Sequence, residues 1–147
     1  AARPSEVTKV RVVGVIDGDT IEVARPGART ERVRLLGVDT PEIEHPDAPP
    51  GSRGADECFG PEAATFTREE LAGREVALRF DVVRRDRYGR LLALVESGGE
   101  RFNDRLLREG YARLLVIAPN GRHARAMLDA ELDARHAGRG LWGPQGC

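Results

Sequence analysis

The sequence predicts a mainly β fold of the α+β class, a five-stranded barrel with about three helices. Three observations predict it. Alternating, strand-sized segments flank Asp17-Gly18, and a third follows Pro26-Gly27, which reads as a three-stranded meander. Two further strand-sized segments flank the turn Asp86 to Arg90. Helical patterns enter only after the meander, in the middle of the chain and near its end.

Val7 to Ile16 alternates, with Val10 and Val12 on one face and Lys9, Arg11 and Val13 on the other. Thr20 to Ala24 is the return strand, with Ile21 and Val23 on one face. Glu31 to Val38 is the third, alternating at first and then nearly all apolar. From Asp39 to Gly60 a long loop is broken by four prolines and two glycines, and loops of that length are usually functional or mobile. Pro61 to Leu71 is a helix with proline in its first turn and Ala64, Phe66 and Leu71 inward. Glu75 to Val83 and Leu91 to Glu96 are the remaining strands, the second closed by Ser97-Gly98-Gly99. Asn103 reads as the cap of a helix running to Glu109 and stopped by Gly110. Leu114 to Ile117 is a short apolar segment, and Pro119-Asn120-Gly121 a turn. Arg122 to Ala137 reads as the last helix, with Ala126, Leu128 or Met127, and Leu132 inward. Gly138 stops it, and Leu141-Trp142 follows as a packing plug. Five strands with helices inserted late fit a small closed barrel of the oligonucleotide-binding type, whose ligand lies across a strand face and its flanking loops.

At 147 residues the chain suits one domain, 1–147, with a core over about 7–142 and a tail at 143–147. Its 40% hydrophobic and 32% charged residues are an ordinary globular balance, and no apolar run approaches membrane-spanning length. The net charge of −1 argues against holding nucleic acid by bulk electrostatics, but not against positive groups gathered at one site. Lys9 is the only lysine. That skew suits phosphate contacts, although GC-rich coding produces it as readily. Cys58 and Cys147 are either two unpaired thiols or one disulfide, which would stabilise by roughly 4 kcal/mol on the chain-entropy model; the disulfide is the expectation. The pairing points to an oxidising, extracytoplasmic location. Ala1-Ala2-Arg3-Pro4 reads as the start of a processed chain, so a secreted protein is expected, acting as a monomer.

Three motifs carry chemistry: Asp17-Gly18-Asp19-Thr20, Arg34-Leu35-Leu36-Gly37-Val38-Asp39-Thr40-Pro41-Glu42, and Asp86-Arg87-Tyr88-Gly89-Arg90. Spaced carboxylates suit a hard divalent cation. Guanidinium forks suit phosphate oxygens. A further carboxylate can orient or deprotonate a water. That combination is a kit for cutting a phosphodiester bond. Taken singly the motifs are bland. Asp17-Gly18 is a common hairpin turn, and Arg34 in an apolar strand end could be an ion pair, since an unpaired buried charge is costly. Glu44 reads as a solvated loop charge. His45, His123 and His136 form no metal set and read as solvated or capping residues.

In these residues, together with Gly60-Pro61-Glu62-Ala63 and Gly140-Leu141-Trp142, the chain resembles the staphylococcal nuclease family from about Val10 to Trp142. The resemblance implies an oligonucleotide-binding barrel and a Ca2+-dependent nuclease that acts on DNA and RNA and leaves 3′-phosphate ends. It further implies that Asp19, Asp39 and the Thr40 carbonyl hold calcium, that Arg34 and Arg90 grip the phosphate, and that Glu42 stands beside the attacking water. Arg87 and Tyr88 would touch a bound nucleotide. The chain departs from the family in having Leu114-Leu115-Val116-Ile117 where members often carry tyrosines, and in its near-neutral charge. Stacking on an aromatic is worth roughly 1–3 kcal/mol per base, so base binding is expected to be weaker or its preference altered. A non-catalytic nucleic-acid-binding module on the same barrel is the alternative. Such a module tends to lose the acids and arginines, and all five are present here.

Overall fold

The computed structural model describes residues 7–25, 27–43, 57–144 and 146. Strands β1 (Val7–Asp17), β2 (Thr20–Ala24) and β3 (Glu31–Leu35) form the predicted meander. β4 (Gly37–Asp39), helix α1 (Gly60–Leu71), β5 (Glu75–Arg79) and β6 (Leu91–Ser97) follow. β7 (Glu100–Arg101), α2 (Phe102–Arg108), β8 (Arg113–Leu115), α3 (Ala124–Ala137) and a 3-10 turn at Gly140–Trp142 complete the order.

β1 is long enough to serve two neighbours. Val7 to Arg11 pair with Arg79 to Glu75 of β5, and Arg11 to Asp17 pair with Ala24 to Thr20 of β2. Irregularities at Val12/Gly14 and Val15/Asp17 bend it, as bulges do at barrel corners. β2 pairs with β3 and β5 with β6, both antiparallel. Parallel pairing of β3 with β6, from Val33 opposite Leu91 to Leu35 opposite Ala93, closes the ring. The result is the expected five-stranded barrel, of β1, β2, β3, β6 and β5. Closure leaves those five strands no free edge-to-edge gap. Val12, Ile21, Val33, Leu78 and Val95 fill it and are fully buried, each contributing roughly 1.5–3 kcal/mol. Leu71 of α1 and Leu106 and Leu107 of α2 cover it from outside and are equally buried. No helix among the described residues is long and apolar enough to cross a membrane.

The structure corrects the sequence reading at four elements. The third strand does not run through to Val38. It breaks at Leu36, because Gly37 takes φ 79 with the Met127 side chain packed against its Cα, and β4 leaves the barrel to pair with β8. β5 stops at Arg79 rather than Val83, because the Asn120 side chain takes both backbone groups of Val83. The Val83 N–H donates to Oδ1 (2.8 Å), and Nδ2 donates to the Val83 carbonyl (2.9 Å).

Asn103 is not a helix cap. It lies inside α2, fully buried, and its Oδ1 accepts from the Val95 N–H (2.8 Å) while Nδ2 donates to the carbonyls of Leu36 (2.8 Å) and Ala93 (3.3 Å). The side chain thus brackets β6 to the break between β3 and β4. α3 begins at Ala124 and buries Met127, Ala130, Glu131 and Ala134, whereas Ala126, Leu128 and Leu132 face outward. Glu131 can be buried because its carboxylate accepts the Leu114 N–H (2.6 Å) and pairs with Arg135 (3.2 Å). His123 stands at the start of α3 without a side-chain cap bond, and His136 is exposed. Most of the long loop, with Glu44 and His45, lies outside the described residues, as does Cys147.

Candidate active site

The β1–β2 turn is fixed from three sides. Gly18 must be glycine, because a Cβ there would lie 2.8 Å from the Thr40 side chain. The Thr67 hydroxyl of α1 donates to the Gly18 carbonyl (2.7 Å). Asp19 is almost fully buried, and its backbone N–H donates to Asp17 Oδ1 (3.2 Å). Its own carboxylate accepts from the Thr20 hydroxyl at Oδ1 (3.1 Å) and from the Thr40 N–H at Oδ2 (3.0 Å). The last bond spans 21 residues and ties the turn to the end of β4.

Arg34 joins the acids. Its Nη1 donates to the carbonyls of Leu35 (2.8 Å) and Val38 (2.7 Å), which holds the break between β3 and β4. Its Nη2 stands 3.3 Å from Asp19 Oδ2 and 3.6 Å from Asp39 Oδ1. The ion pair considered for Arg34 from sequence therefore exists, and it is shared between both predicted metal carboxylates. Asp39, at the tip of β4, is half-exposed, while Arg34 is mostly enclosed.

Glu42 follows on the next turn of chain. Its N–H donates to Glu57 Oε1 (2.8 Å), and its carbonyl accepts the Glu57 N–H (2.8 Å). Gly60, at the start of α1, lets the Glu42 backbone approach closer than any side chain would allow. The clamp fixes where the carboxylate can reach. Asp19, Asp39 and Glu42 each bring one carboxylate oxygen to within 4.8 Å of the others.

These neighbours shape the acids' ionisation. Burial, the hydrogen bond and negative charge of Asp19, and the charge of Glu42 push Asp17 up to about 8. Partial burial and Asp19 also raise Asp39, against the pull of Arg34. A cation among the carboxylates would reverse that push. Crowded carboxylates, all hard oxygen donors, with one face open at Asp39, fit a hard divalent cation. The Thr40 hydroxyl, buried beside them without a hydrogen-bond partner among the described residues, adds a further oxygen to that fit.

The third motif forms a tight turn across a cleft of about 560 Å³, whose walls include Arg34, Arg87, Tyr88 and Arg90. Asp86 organises it. Its Oδ1 accepts the backbone N–H groups of Tyr88 and Arg90 (both 2.9 Å), and its Oδ2 accepts Arg90 Nε (2.7 Å). Arg90 is thereby aimed, and the parallel β3–β6 register, with Arg34 opposite Leu92, puts the two arginines on one cleft. Arg87 lies over the Tyr88 ring, 5.0 Å from its centroid, and donates to its hydroxyl (2.8 Å). Tyr88 is 70% exposed, the attitude of a ring available to a ligand. Leu115 and Ile117 line the same cleft, where the sequence lacks the family's tyrosines.

The structure thus gathers Asp19, Arg34, Asp39, Thr40 and Glu42 at one end of the barrel, with Arg87, Tyr88 and Arg90 on the adjoining cleft. Sequence reasoning passed over Glu57 and Thr67, which act on backbone atoms and carry no motif. From sequence Asp17 reads as a turn former or as a group behind the ligands; it accepts the Asp19 N–H (3.2 Å), and burial with the neighbouring acids favours its protonated form.

Comparison with known proteins gives one consistent family. Residues 32–144 match the family model described as Staphylococcal nuclease homologue. The chain is 38% identical over 132 residues to the thermonuclease of Staphylococcus hyicus, covering 90% of this chain and 74% of that one. It is 39% identical over 128 residues to the thermonuclease of Staphylococcus intermedius, covering 87% and 72%. Endonuclease YncB of Bacillus subtilis (strain 168) is 33% identical over 153 aligned positions, 99% of this chain and 69% of its own length.

Proposed function

This chain belongs to the staphylococcal nuclease family and is a phosphodiester-hydrolysing nuclease; we propose that it is a calcium-dependent endonuclease that cuts DNA and RNA and leaves 3′-phosphate ends. The observation that supports this best is the convergence of Asp19, Asp39 and Glu42, within 4.8 Å, on the arginine that spans the first two.

Asp19, Asp39 and the Thr40 carbonyl would hold the calcium ion, which when bound neutralises and polarises the phosphate. Glu42 takes the proton of the attacking water or orients it. The water oxygen adds to phosphorus in line, and the bond to the 5′ oxygen breaks. That oxygen leaves as a 5′-hydroxyl, its proton drawn from solvent, and the phosphate stays on the 3′ side. Arg34 and Arg90 face the phosphate oxygens as their charge builds. Planar forks do this better than lysine because both N–H edges engage at once. Arg87 and Tyr88 contact the neighbouring nucleotide. The protein acts as a monomeric single domain. It is secreted, with the Cys58–Cys147 disulfide formed in an oxidising compartment.

The test is cleavage of single-stranded DNA with calcium, with magnesium and with EDTA, beside an Asp19→Asn variant. Cutting that needs calcium and fails in the variant is expected. Folded wild-type protein that binds the DNA but never cuts it would favour the non-catalytic module.

A further inference from the structure

Arg113 stands where the sequence motifs do not reach. In the two-stranded sheet of β4 and β8 it is the residue directly opposite Asp39. Opposed residues of an antiparallel pair share a face, with Cβ atoms about 4.5–5.5 Å apart. An arginine so placed ordinarily closes onto the aspartate. Here it does not: among the described residues Arg113 has no carboxylate within 4.0 Å. Its guanidinium instead lies over the Trp142 ring, 5.3 Å from the centroid. The ring is held in turn by Arg135, 4.3 Å from its centroid, and Arg135 is anchored on Glu131. Arg113 is exposed, and its charge still reaches Asp39, where it acts with Arg34 against the upward push on that carboxylate.

Asp39 therefore has one arginine engaged with it, Arg34, and a second one across the sheet, held back by an indole. A nucleic-acid strand carries one charge per nucleotide, so a strand with one phosphate at the acids presents another just beyond them. Arg34 and Arg90 serve the scissile phosphate. We propose that Arg113, resting on Trp142, grips the phosphate next to the scissile one and so extends the substrate path from β4 onto the β8–Trp142 face. The inference rests on the nuclease reading above and adds to it a strand-length preference. Because the guanidinium is held on an aromatic face, it is oriented before substrate arrives, which limits the entropy lost on contact.

The experiment is equilibrium binding of a thymidine octamer in EDTA, where cutting is suppressed, across a range of salt concentrations. Arg113→Gln and Arg113→Lys are compared with wild type, and the two-nucleotide, one-phosphate ligand TpT serves as control. Each phosphate contact on a single strand adds about 0.7 to the slope of log affinity against log salt. Arg113→Gln is expected to lose about that slope and roughly fivefold to tenfold in octamer affinity at low salt, but little for TpT. Arg113→Lys keeps the charge and is expected to keep the slope. A second reading needs no variant. Trp142 is the only tryptophan, so octamer binding should change the intrinsic emission as a phosphate settles on the guanidinium that covers the ring. An unchanged slope in Arg113→Gln, or saturation without an emission change, overturns the proposal. Failure of the nuclease reading would show separately, as wild-type protein that does not cut with calcium.

Discussion

Replacing Asp19 by asparagine should separate what the acid cluster does for the fold from what it does for chemistry. Asparagine keeps the shape. Its single oxygen can take the Oδ2 place and accept from the Thr40 N–H and Arg34, while its amide group meets the Thr20 hydroxyl, which can turn to accept. The charge terms nearly cancel. At an effective dielectric of about 20, Asp19 and Arg34 at 3.3 Å attract by about 5 kcal/mol. Repulsion from Asp39 and from Glu42 at up to 4.8 Å is about 3.5 kcal/mol each before screening. Because Asp39 is half-exposed, its share falls to about 1–2 kcal/mol. Without metal, then, Asp19→Asn should match wild type in stability to within about 1 kcal/mol. That amounts to at most roughly 2–4 °C in melting temperature. Thermal unfolding in EDTA and again in millimolar calcium measures both halves. Wild type should gain melting temperature with calcium and Asp19→Asn should not. If the variant melts more than about 2 kcal/mol earlier in EDTA, the cluster is a structural ion-pair knot and the electrostatic reasoning is wrong. If calcium stabilises both alike, Asp19 holds no metal.

Three further outcomes are expected. Glu42→Gln should fold normally, since its backbone clamp to Glu57 is untouched, yet cut roughly 10²–10⁴-fold more slowly; near-normal rates in a cleavage assay would remove Glu42 from the mechanism. Partial burial would raise Asp86, but the hydrogen bonds from Arg90 and the Tyr88 N–H outweigh it and hold the carboxylate below its ordinary 3.8. Its contribution is thus present above about pH 4 and lost as pH falls through the lower folded value. Asp86→Asn should flatten stability over that acid range and, by setting an amide N–H against Arg90 Nε, slow cutting at neutral pH; acid melting curves identical to wild type would count against this. Mass spectrometry of the non-reduced protein should show Cys58 joined to Cys147, and two alkylatable thiols would remove the main argument for an oxidising compartment.

Much of this was legible because the signals are local. Asp17-Gly18 between alternating segments specifies a hairpin by turn chemistry alone, and Pro61 and Gly138 mark helix ends for equally local reasons. The acids and Arg34 were legible as types at spacings. The readings that failed share a different feature: each depends on a contact between residues far apart in sequence. Gly37 looks like any strand glycine until Met127, ninety residues on, is packed against it. Asn103 has the composition of a cap, and only its bonds to the backbone of Val95, Leu36 and Ala93 reveal that it is a bracket. On α3 Met127 is inward, as one alternative has it, but Ala126, Leu128 and Leu132 are not, because Glu131 is inward, which is permissible only once Leu114 supplies an N–H.

These long-range exceptions lie where the chain leaves the barrel, and that connects them to function. Asn103 holds the carbonyl at the point where β3 gives way to β4, and Arg34 holds the carbonyls on either side of it. Glu131 secures β8 from behind, and β8 is the strand that supports β4. Asn120 pulls the Val83 segment out of β5 and so opens one wall of the cleft. A barrel built by apolar alternation alone would run Glu31 to Val38 as one straight strand and would carry Asp39 along its edge. Three polar side chains, Arg34, Asn103 and Glu131, bind backbone groups around the break and turn that strand outward instead. They set Asp39 against Asp19 and Glu42 on one side and Arg113 on the other. The positions that violate the hydrophobic pattern are therefore those that build the site, as expected where a fold departs from local consistency for the sake of chemistry.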